Sequence, residues 1–402
     1  MAAIRFNRKY GRTLGVIALS IFVILLYITT HVVYTNVSNR QSNINHPITS
    51  DSLHNNIHAT IKKIEPSSDG NLDIVISINM KDIASYLNWF SGEGEATRNN
   101  LPATVNVVMH NSKICESRPQ LRWLFYVHSA PANLVKRDNI RATWGSSAHH
   151  APGTTLLVFI VGSVDDPGVQ RALLEEQKTH GDIVQGDFTD TYKNLTLKAI
   201  FGLKWIATYC KNAEFSLKAD DDAFVNVFEW MRLAETKAAD DYHRFIMCPL
   251  WKDNTMPILR DPSKCMKWCV KYSEFPGRQY FPQYCAGLAV LMTREIVAEL
   301  YTAAIKTPFF WIDDVFLTGI VSAKLKGVHY VDMMSSFTLK EALASENYLN
   351  TKSPVRYHVA HVKNFATFRT MWRVLLARRD RRQHTPNVAD APTSRPYIPP
   401  RT

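Results

Sequence analysis

Three consecutive aspartates, Asp220, Asp221 and Asp222, follow an apolar stretch that predicts a buried strand over residues 213–219. Carboxylates at such a position are costly unless something neutralises them. A hard divalent cation such as Mg²⁺ or Mn²⁺ prefers oxygen ligands, and with nucleotide substrates it is commonly held by one or two carboxylates plus phosphate oxygens. A solvated acidic turn or a helix N-cap explains the triplet equally well, so the triplet alone favours neither interpretation.

A second acidic pair, Asp313 and Asp314, lies between the apolar segments FFWI and VFLTGI. Apolar surroundings raise the pKa of a carboxyl group and make it a better general base. A helix N-cap is again the alternative, because a helix is predicted to start here. The sequence contains no GxSxG, HExxH or Walker motif. It therefore lacks the residues that identify the common hydrolases and nucleoside triphosphatases.

Strands and helices alternate through the segment that carries both acidic groups, which predicts an α/β sandwich with a mostly parallel sheet. Ligands of such sheets bind at the carboxyl ends of the strands, and the aspartate triplet follows one of them. Strands are predicted over residues 121–128, 155–161, 183–184, 213–219, 244–248 and 328–331, and helices over residues 137–145, 169–180, 192–210, 294–304, 315–324 and 365–376.

Residues 14–34 contain no charged side chain and are long enough to cross a bilayer. A cleaved signal peptide would have a shorter apolar region ending in small residues. Four positive charges precede the stretch, which places the N-terminus in the cytoplasm. The chain of 402 residues is therefore predicted to contain a cytoplasmic tail (1–12), a transmembrane signal-anchor (13–34), a lumenal stem (35–117), a catalytic domain (118–376) and a disordered, basic, Pro-rich tail (377–402).

The distribution of charge and the cysteine content indicate which partners and which cysteine chemistry to expect of the lumenal part. The net charge is +11, but residues 1–12 and 378–402 carry +4 each. Since the remainder is nearly balanced, nucleic acid is not the expected partner. Six cysteines are predicted to form structural disulfides in an oxidising compartment, with their pairing left open. Two sequons, at Asn36 and Asn194, are candidate glycosylation sites; Asn36 is close to the membrane, which favours Asn194.

Six segments, in order, carry a resemblance to the β-1,3-galactosyltransferase-like family of inverting UDP-sugar β-1,3-glycosyltransferases, which are type II membrane proteins of the Golgi. They are RDNIRATWG (137–145), FIVG (159–162), GDFTDTYKNLTLKAIFGLKW (186–205), KADDDAFVN (218–226), KWCVKYSEFPGRQYFPQYCAG (267–287) and IDDVFLTG (312–319). His361 matches the histidine that precedes the last helix of this family. Each segment is a weak signal alone, and six in order form a strong one.

The resemblance implies a GT-A type fold, a metal-dependent site for Mn²⁺ or Mg²⁺ and inversion at the anomeric carbon. It assigns Asp220 and Asp222 to the DxD element, with Asp222 as the expected direct metal ligand and His361 as a further ligand. Asp314 becomes the general base that deprotonates the acceptor 3-hydroxyl, with Asp313 in reserve.

The resemblance also supplies candidates for substrate binding. They are Arg137, Arg141 and Trp144 for the nucleotide, Lys198 for the diphosphate, Asp220 or Asp221 for the ribose or a coordinated water, and Lys267 and Trp268. Ordinary alternatives stay open for two of them, since Arg141 could pair with a surface acid and Trp144 could belong to the core.

The chain departs from the family at Leu288 and Ala289, where glycine-rich sequence is frequent, and at Asp313, where Glu is common. The predicted function is transfer of a hexose, galactose or N-acetylhexosamine, from a UDP-sugar to a glycoprotein or glycolipid glycan. A non-catalytic lumenal glycan-binding protein or chaperone on the same scaffold is the alternative. Donor, acceptor and oligomeric state, including a homo-oligomer, stay open.

Overall fold

The computed structural model describes residues 105–240 and 243–384, together with two short strands, Thr60–Ile61 and Ile76–Ser77. The predicted cytoplasmic tail, the predicted membrane span, most of the predicted stem and residues 385–402 lie outside these ranges. None of the helices within them has the length and apolar character needed to cross a bilayer. The chain divides into two compact units, residues 1–94 with 259–278, and residues 95–258 with 279–402.

The smaller unit contains an antiparallel pair formed by Thr60–Ile61 and Ile76–Ser77 and the segment 259–278. That segment begins with one helical turn, Pro262–Cys265, which Asp261 caps by accepting a hydrogen bond from the Ser263 backbone N–H. A disulfide joins Cys265 to Cys269. The Arg260 guanidinium holds the rest of the segment by donating to three of its backbone carbonyls, those of Val270, Phe275 and Arg278.

The larger unit contains the strands and helices that position both acidic groups. Its strands are β1 (Val107–Met109), β2 (Trp123–His128), β3 (Thr155–Ser163), β4 (Ile183–Thr189), β5 (Phe215–Asp220), β6 (Ala223–Val225), β7 (Phe245–Cys248), β8 (Leu250–Trp251), β9 (Tyr284–Cys285), β10 (Ala289–Thr293), β11 (His329–Asp332), β12 (Phe337–Thr338) and β13 (Val359–His361). Its helices are α1 (Leu134–Arg141), α2 (Pro167–His180), α3 (Leu195–Tyr209), α4 (Val227–Ala239), α5 (Arg294–Ala304), α6 (Asp313–Val315), α7 (Glu341–Leu349) and α8 (Phe365–His384). A π-helical segment, Phe316–Val321, and a 3₁₀ turn, Ser322–Lys324, continue α6.

Eight strands form the main sheet, in the order β11-β7-β10-β5-β2-β3-β4-β1. Strand β2 lies near its centre, and all six of its residues are buried. Among the described residues, four neighbouring pairs are parallel and three are antiparallel. Six of these strands run in one direction and β10 and β1 run against them, so the sheet is mostly parallel, as predicted, with two antiparallel strands. The direction of β10 follows from the path of the chain. The chain leaves the sheet at the carboxyl end of β7 and re-enters it at the same end as β10, so β10 runs antiparallel to β7.

The excursion between β7 and β10, residues 249–288, is closed at its base. Cys248 and Cys285 form a disulfide, and β8 pairs with β9 antiparallel. The Ala286 backbone N–H donates to the Pro249 carbonyl at 2.8 Å. These contacts fix the end of the excursion directly before Gly287.

A second, three-stranded sheet in the order β12-β13-β6 lies directly after the aspartate triplet. Its strand β13 pairs antiparallel with β6, which places His361 opposite Ala223. The backbone N–H of Val362 donates to the Asp222 carbonyl at 3.0 Å. This pairing joins residues almost 140 positions apart in sequence, and it brings His361 to the triplet.

Two parts of the larger unit reach beyond the predicted catalytic segment 118–376. Strand β1 pairs with β4 at the sheet edge, and the buried Cys115 is disulfide-bonded to Cys210. Both features lie in the segment predicted as stem. At the other end, α8 continues to His384, where Arg378 donates to the carbonyls of Tyr348 and Ser353.

Removing the Cys115–Cys210 disulfide is expected to lower the free energy of unfolding by about 2–5 kcal/mol, because the bond closes a long loop. The two cysteines are 95 positions apart. Thermal unfolding of the variant Cys115→Ser/Cys210→Ser measures the effect. The matched control, Cys265→Ser/Cys269→Ser, opens a disulfide that spans only 4 positions and should cost clearly less. Equal losses in the two variants would contradict this account.

Candidate active site

The three aspartates at the end of β5 take three different partners. The Asp220 carboxylate accepts from the Lys218 ammonium at 2.7 Å. Asp221 turns toward the start of α1, and Asp222 lies beside His361. The three carboxylates therefore make three separate sets of contacts at one edge of the sheet.

Asp222 and His361 form the pair best suited to a metal ion. The His361 Nε2 atom lies 3.4 Å from Asp222 Oδ2, and both side chains are about one quarter exposed. No larger group of His, Cys, Asp and Glu side chains in the described ranges is arranged to hold a metal ion. Two protein donors, one oxygen and one nitrogen, fit a cation such as Mn²⁺ whose other ligands are phosphate oxygens and water.

The Asp221 carboxylate is hydrogen-bonded to side chains within the protein. Its Oδ2 accepts from Ser129 Oγ and from Asn133 Nδ2, both at 2.8 Å, and its Oδ1 accepts from Lys136 Nζ at 2.7 Å. Lys136 also lies 3.5 Å from Asp222 Oδ2. The two carboxylate oxygens thus connect the end of β5 to the loop after β2 and to the first turn of α1.

Lys218 is a functional candidate that the motif analysis did not single out. It is buried, and its ammonium donates to Asp220 Oδ1 at 2.7 Å and to the Gly287 carbonyl at 2.5 Å. Burial acts to lower its pKa, but the negative charges of Asp220, Asp313 and Asp314 outweigh burial and raise it. A permanently charged lysine therefore balances carboxylates from both acidic groups. Two-residue spacing to Asp220 on a strand was the available signal, since alternate residues share a face.

The carboxylate of Asp314 fits against the Gly287 backbone. Its Oδ2 accepts from the Gly287 N–H at 2.9 Å, and a Cβ atom at Gly287 would lie 1.8 Å from Asp314 Oδ1. Only glycine leaves room for this carboxylate. The Gly287 peptide therefore contacts both charged groups, with its N–H on Asp314 and its carbonyl on Lys218.

Two carboxyl groups of this site have raised pKa values. Burial is the main cause for Asp314, whose pKa lies well above its ordinary value; the charge of Asp313 adds to the rise, and Lys218 opposes it. The pKa of Asp220 is raised to about 6, first by burial and then by Asp313 and Asp222, against the lowering effect of Lys218. Asp313 therefore belongs to the same electrostatic cluster, and Asp314 is the stronger base candidate because its orientation is fixed.

The two predicted nucleotide-binding arginines are held in a buried ionic cluster. Arg137 is fully buried, pairs with both carboxylate oxygens of Glu176 at 2.6–2.7 Å and donates to the carbonyls of Ala130 and Pro131. Arg141 donates to Glu176 and to both oxygens of Asp182. The structure therefore gives both arginines a clear role in fixing the loop after β2 and the helix α1.

Trp144 and Lys198 are buried beside the same strand ends. The Trp144 ring is fully buried, and its Nε1 donates to the Ala223 carbonyl at 2.9 Å, directly after the aspartate triplet. The Lys198 ammonium donates to the Ser129 carbonyl at 2.6 Å and to Asp190 Oδ1 at 2.8 Å. Both side chains thus contact the backbone segments that carry the candidate site.

The remaining predicted residues belong to the smaller unit, to the turn before α3, or to the part of the chain that the structure does not describe. Lys267 and Trp268 belong to the smaller unit, where the Lys267 ammonium lies 4.8 Å from the centre of the Trp268 ring. Asn194 is half-buried and donates to the Thr189 carbonyl at 2.9 Å. Asn36 lies outside the described residues.

Comparison with known proteins matches residues 135–334 to the family model described as galactosyltransferase. A lactosylceramide 1,3-N-acetyl-beta-D-glucosaminyltransferase A of Xenopus laevis is 33% identical over 239 residues, which cover 56% of this chain and 59% of the relative. The beta-1,3-galactosyltransferase 5 of Homo sapiens is 31% identical over 205 residues, covering 50% and 63%.

A third relative is an acetylgalactosaminyl-O-glycosyl-glycoprotein beta-1,3-N-acetylglucosaminyltransferase of Mus musculus. It is 34% identical over 200 residues, which cover 48% of this chain and 49% of the relative. The chain thus spans between about half and two thirds of the length of these three relatives. The names of all three relatives describe transferases that form a 1,3 linkage.

Proposed function

Because the chain belongs to the galactosyltransferase family, we propose that it is an inverting UDP-sugar-dependent β-1,3-hexosyltransferase with a GT-A type fold. One observation carries the proposal. The Asp314 carboxylate is fixed by the Gly287 N–H, and Lys218 connects it to the sheet edge where Asp222 and His361 lie together. A base and a diphosphate-binding pair at one edge are the two parts that such a transfer requires.

The proposed reaction is a single displacement with inversion. The acceptor 3-hydroxyl loses its proton to Asp314 while its oxygen attacks the anomeric carbon of the donor sugar. The bond from that carbon to the β-phosphate oxygen breaks, and UDP leaves with the electron pair. The raised pKa of Asp314 makes it a better proton acceptor, and Lys218 limits the rise.

Asp222 and His361 are the residues that would hold Mn²⁺ or Mg²⁺, which supplies Lewis-acid stabilisation of the negative charge on the diphosphate. Asp221 supports this site indirectly, since its contacts with Ser129, Asn133 and Lys136 fix the backbone on which Asp222 is mounted. Lys136 lies near both Asp221 and Asp222 and adds positive charge on the side where a diphosphate would bind.

The same proposal places the catalytic domain in the Golgi lumen, anchored by residues 13–34 in type II orientation. Two features support this location. The stretch 14–34 is long and uncharged, and the described cysteines form three disulfides, which persist in oxidising compartments. We take the acceptor to be a glycan on a glycoprotein or glycolipid, and the donor sugar to be galactose or an N-acetylhexosamine.

The proposal is tested with the full-length protein, expressed in a eukaryotic host and solubilised in detergent. UDP release is measured with UDP-galactose, UDP-N-acetylglucosamine and UDP-N-acetylgalactosamine against an array of acceptor glycosides, with Mn²⁺ and with EDTA. We expect one donor to be used, and NMR of the product to show a β-1,3 linkage. An α-linked product would contradict inversion. Absence of both transfer and UDP binding would instead favour the non-catalytic scaffold.

Replacing His361 by Ala is expected to raise the Mn²⁺ concentration needed for half-maximal activity by about tenfold or more, because one of two protein ligands is lost. Asp222→Ala should abolish the metal response. Titration of transfer activity and of UDP binding with Mn²⁺ measures both effects. His329→Ala is the matched control, since His329 is exposed at the start of the edge strand β11. An unchanged Mn²⁺ requirement in His361→Ala would remove His361 from the metal site.

A further inference from the structure

Thr318 is a buried residue four positions after the candidate base, and the proposed reaction does not yet use it. It is 5% exposed. Its hydroxyl makes two hydrogen bonds, donating to the Asp314 carbonyl at 2.6 Å and accepting from the Cys285 backbone N–H at 2.9 Å. One side chain therefore joins the helical segment that carries the base to the strand β9.

The same two segments are joined a second time at the base itself. There the Gly287 N–H donates to Asp314 Oδ2 at 2.9 Å. The segments are also closely packed, since a Cβ atom at Gly319 would lie 3.2 Å from the Gln283 carbonyl oxygen and 3.3 Å from Tyr284 Cβ. The position of the carboxylate against Gly287 thus depends on how the two segments are aligned.

Thr318 is itself held in place through its carbonyl oxygen. This oxygen accepts from two side-chain hydroxyls, Ser322 Oγ at 2.6 Å and Tyr330 Oη at 2.5 Å. Tyr330 belongs to the edge strand β11, so the contact ties Thr318 to the main sheet. The segment Phe316–Val321 is π-helical, and π-helical turns are rare and frequent at functional sites.

The contact with Cys285 distinguishes Thr318 from an ordinary helical threonine. A threonine hydroxyl that donates to the carbonyl four residues earlier is common in helices and by itself says little. The Cys285 N–H, in contrast, belongs to a fully buried residue and would lose its acceptor without the hydroxyl, which is costly for a buried donor. Because the disulfide to Cys248 fixes Cys285, the resulting shift falls on the helical segment that carries the base.

We propose that Thr318 is a positioning residue, whose hydroxyl aligns the segment of Asp314 with β9 and so holds the carboxylate on the Gly287 N–H for proton transfer. This inference rests on the proposed function of the same site. Thr318 acts through Asp314 and not on the substrate. A general base works only within hydrogen-bond reach of the proton that it accepts, so a displacement of about 1 Å can lower the rate by about 10²-fold.

The test uses the full-length protein with Thr318→Val, which removes the hydroxyl and keeps the shape, and with Thr318→Ser, which keeps the hydroxyl. We expect Thr318→Val to lower kcat by about 10–100-fold. Its affinity for UDP, measured by calorimetry with Mn²⁺, should change by less than about twofold, because the base does not bind the nucleotide. Thr318→Ser should keep kcat within about threefold, because the hydrogen-bonding group remains.

Thr307→Val is the matched control. Thr307 is also buried, and its hydroxyl also donates to the carbonyl four residues earlier, that of Ala303 at 2.8 Å. It lies just after α5, whose residues the proposed reaction does not use. The control should keep kcat within about twofold, because a hydrogen bond of this kind contributes little to a helix.

The pH dependence provides a readout that a general loss of packing would not move. Burial and the charges of Asp313 and Asp220 raise the pKa of Asp314. The Lys218 ammonium and the Gly287 N–H act in the opposite direction. A weaker hydrogen bond from Gly287 should therefore raise this pKa further. The rise of kcat/KM with pH should move to higher pH in the valine variant and stay in place in the control.

Hydrogen exchange measures the position of the base without catalysis. The Gly287 amide should exchange faster in Thr318→Val than in the unmodified protein, because its hydrogen bond to Asp314 is weakened. This result supports the inference even if the unmodified protein transfers no sugar, which would contradict only the proposed function. If Thr318→Val does not fold, Tyr330→Phe, which removes a donor to the Thr318 carbonyl, should produce a smaller change of the same kind.

Three results would overturn the inference. Unchanged exchange of the Gly287 amide in the folded variant would show that the hydroxyl does not hold the base. Equal losses in Thr318→Val and Thr318→Ser would show that the hydroxyl is not the group responsible. A parallel loss of kcat and of UDP affinity would show a general disturbance of the fold.

Discussion

Replacing Asp314 by Asn is expected to reduce kcat by about 10²–10⁴-fold, the contribution typical of a positioned general base, with UDP affinity unchanged. Asparagine keeps the size of the side chain and can still accept from the Gly287 N–H through its amide oxygen, so the loss reports basicity alone. Steady-state kinetics and calorimetry with UDP measure the two quantities. The kcat/KM of the unmodified protein should rise with pH as Asp314 ionises.

Asp313→Asn is the matched control, because Asp313 contributes charge to the same cluster without a fixed contact to Gly287. A moderate loss is expected there, since the charge of Asp313 helps to raise the pKa of Asp314. If Asp314→Asn retained full activity while Asp313→Asn lost it, the two roles would have to be exchanged.

Replacing Asp314 by Asn is also expected to stabilise the fold at neutral pH. The pKa of Asp314 is higher in the folded than in the unfolded chain, so the folded state binds the proton more tightly. The stability contributed by this group is present below its ordinary pKa of about 4 and is lost as pH rises through the raised value. Asparagine carries no charge and avoids that loss, which we expect to be about 0.5–2 kcal/mol.

Thermal unfolding in EDTA between pH 4 and pH 8 tests this second effect. The melting temperature of Asp314→Asn should exceed that of the unmodified protein at pH 8, and the difference should shrink toward pH 4. A less stable variant at pH 8 would mean that ionised Asp314 is favourably paired in the folded protein, contrary to the direction of its pKa.

Replacing Gly287 by Ala is expected to reduce transfer as severely as the loss of the base. The added Cβ would lie 1.8 Å from Asp314 Oδ1, so the carboxylate must leave its position. Misplacing a catalytic group by about 1 Å can cost about 10²-fold in rate. The change should also disturb the Gly287 carbonyl on which Lys218 is paired. Kinetics, together with circular dichroism to confirm that the variant folds, measure the outcome.

Gly202→Ala provides the matched control for this change. A Cβ at Gly202 would make ordinary contacts of 3.6 Å with Ile160 and Tyr126, and alanine is a better helix former than glycine by about 1 kcal/mol. Gly202 lies within α3 on the face of the sheet that carries Tyr126. We therefore expect full activity and equal or higher stability. If Gly202→Ala were as inactive as Gly287→Ala, general sensitivity to packing would explain both.

Local patterns were sufficient to predict much of the fold. Apolar runs predicted β2, β3, β5 and β7, and helical spacing predicted α5 with its observed bounds. The strand β10, which makes the sheet mixed, was not predicted. Its sequence AVLMT is a short apolar run that local pattern cannot assign, and its direction depends on where the excursion 249–288 re-enters the sheet.

The site was predictable to the extent that it consists of acidic residues next to apolar strands and helices. Asp222 and His361 are brought together by pairing of β6 with β13, and the family resemblance, which assigned both to the metal site, anticipated that association. The partners of Arg137 could not be inferred, because Glu176 lies 39 residues away on a helix with no marked motif. An arginine that binds phosphate and an arginine buried against a glutamate look the same in sequence.

Lys218 illustrates the opposite limit. It is one polar residue within an apolar strand, where the hydrophobic pattern draws attention away from single polar positions. Lys218 becomes informative only when the Gly287 carbonyl and three carboxylates are seen around it.

The closed base of the excursion 249–288 has a consequence for changes in its length. The Cys248–Cys285 disulfide and the pairing of β8 with β9 hold both ends of the insertion, so altered length or sequence between them transmits little strain to Gly287 and the base. Lengthening a loop with fixed ends costs little, about 0.6 kcal/mol for each doubling. Changes of length between the two ends are therefore expected to leave the contact of Gly287 with Asp314 in place.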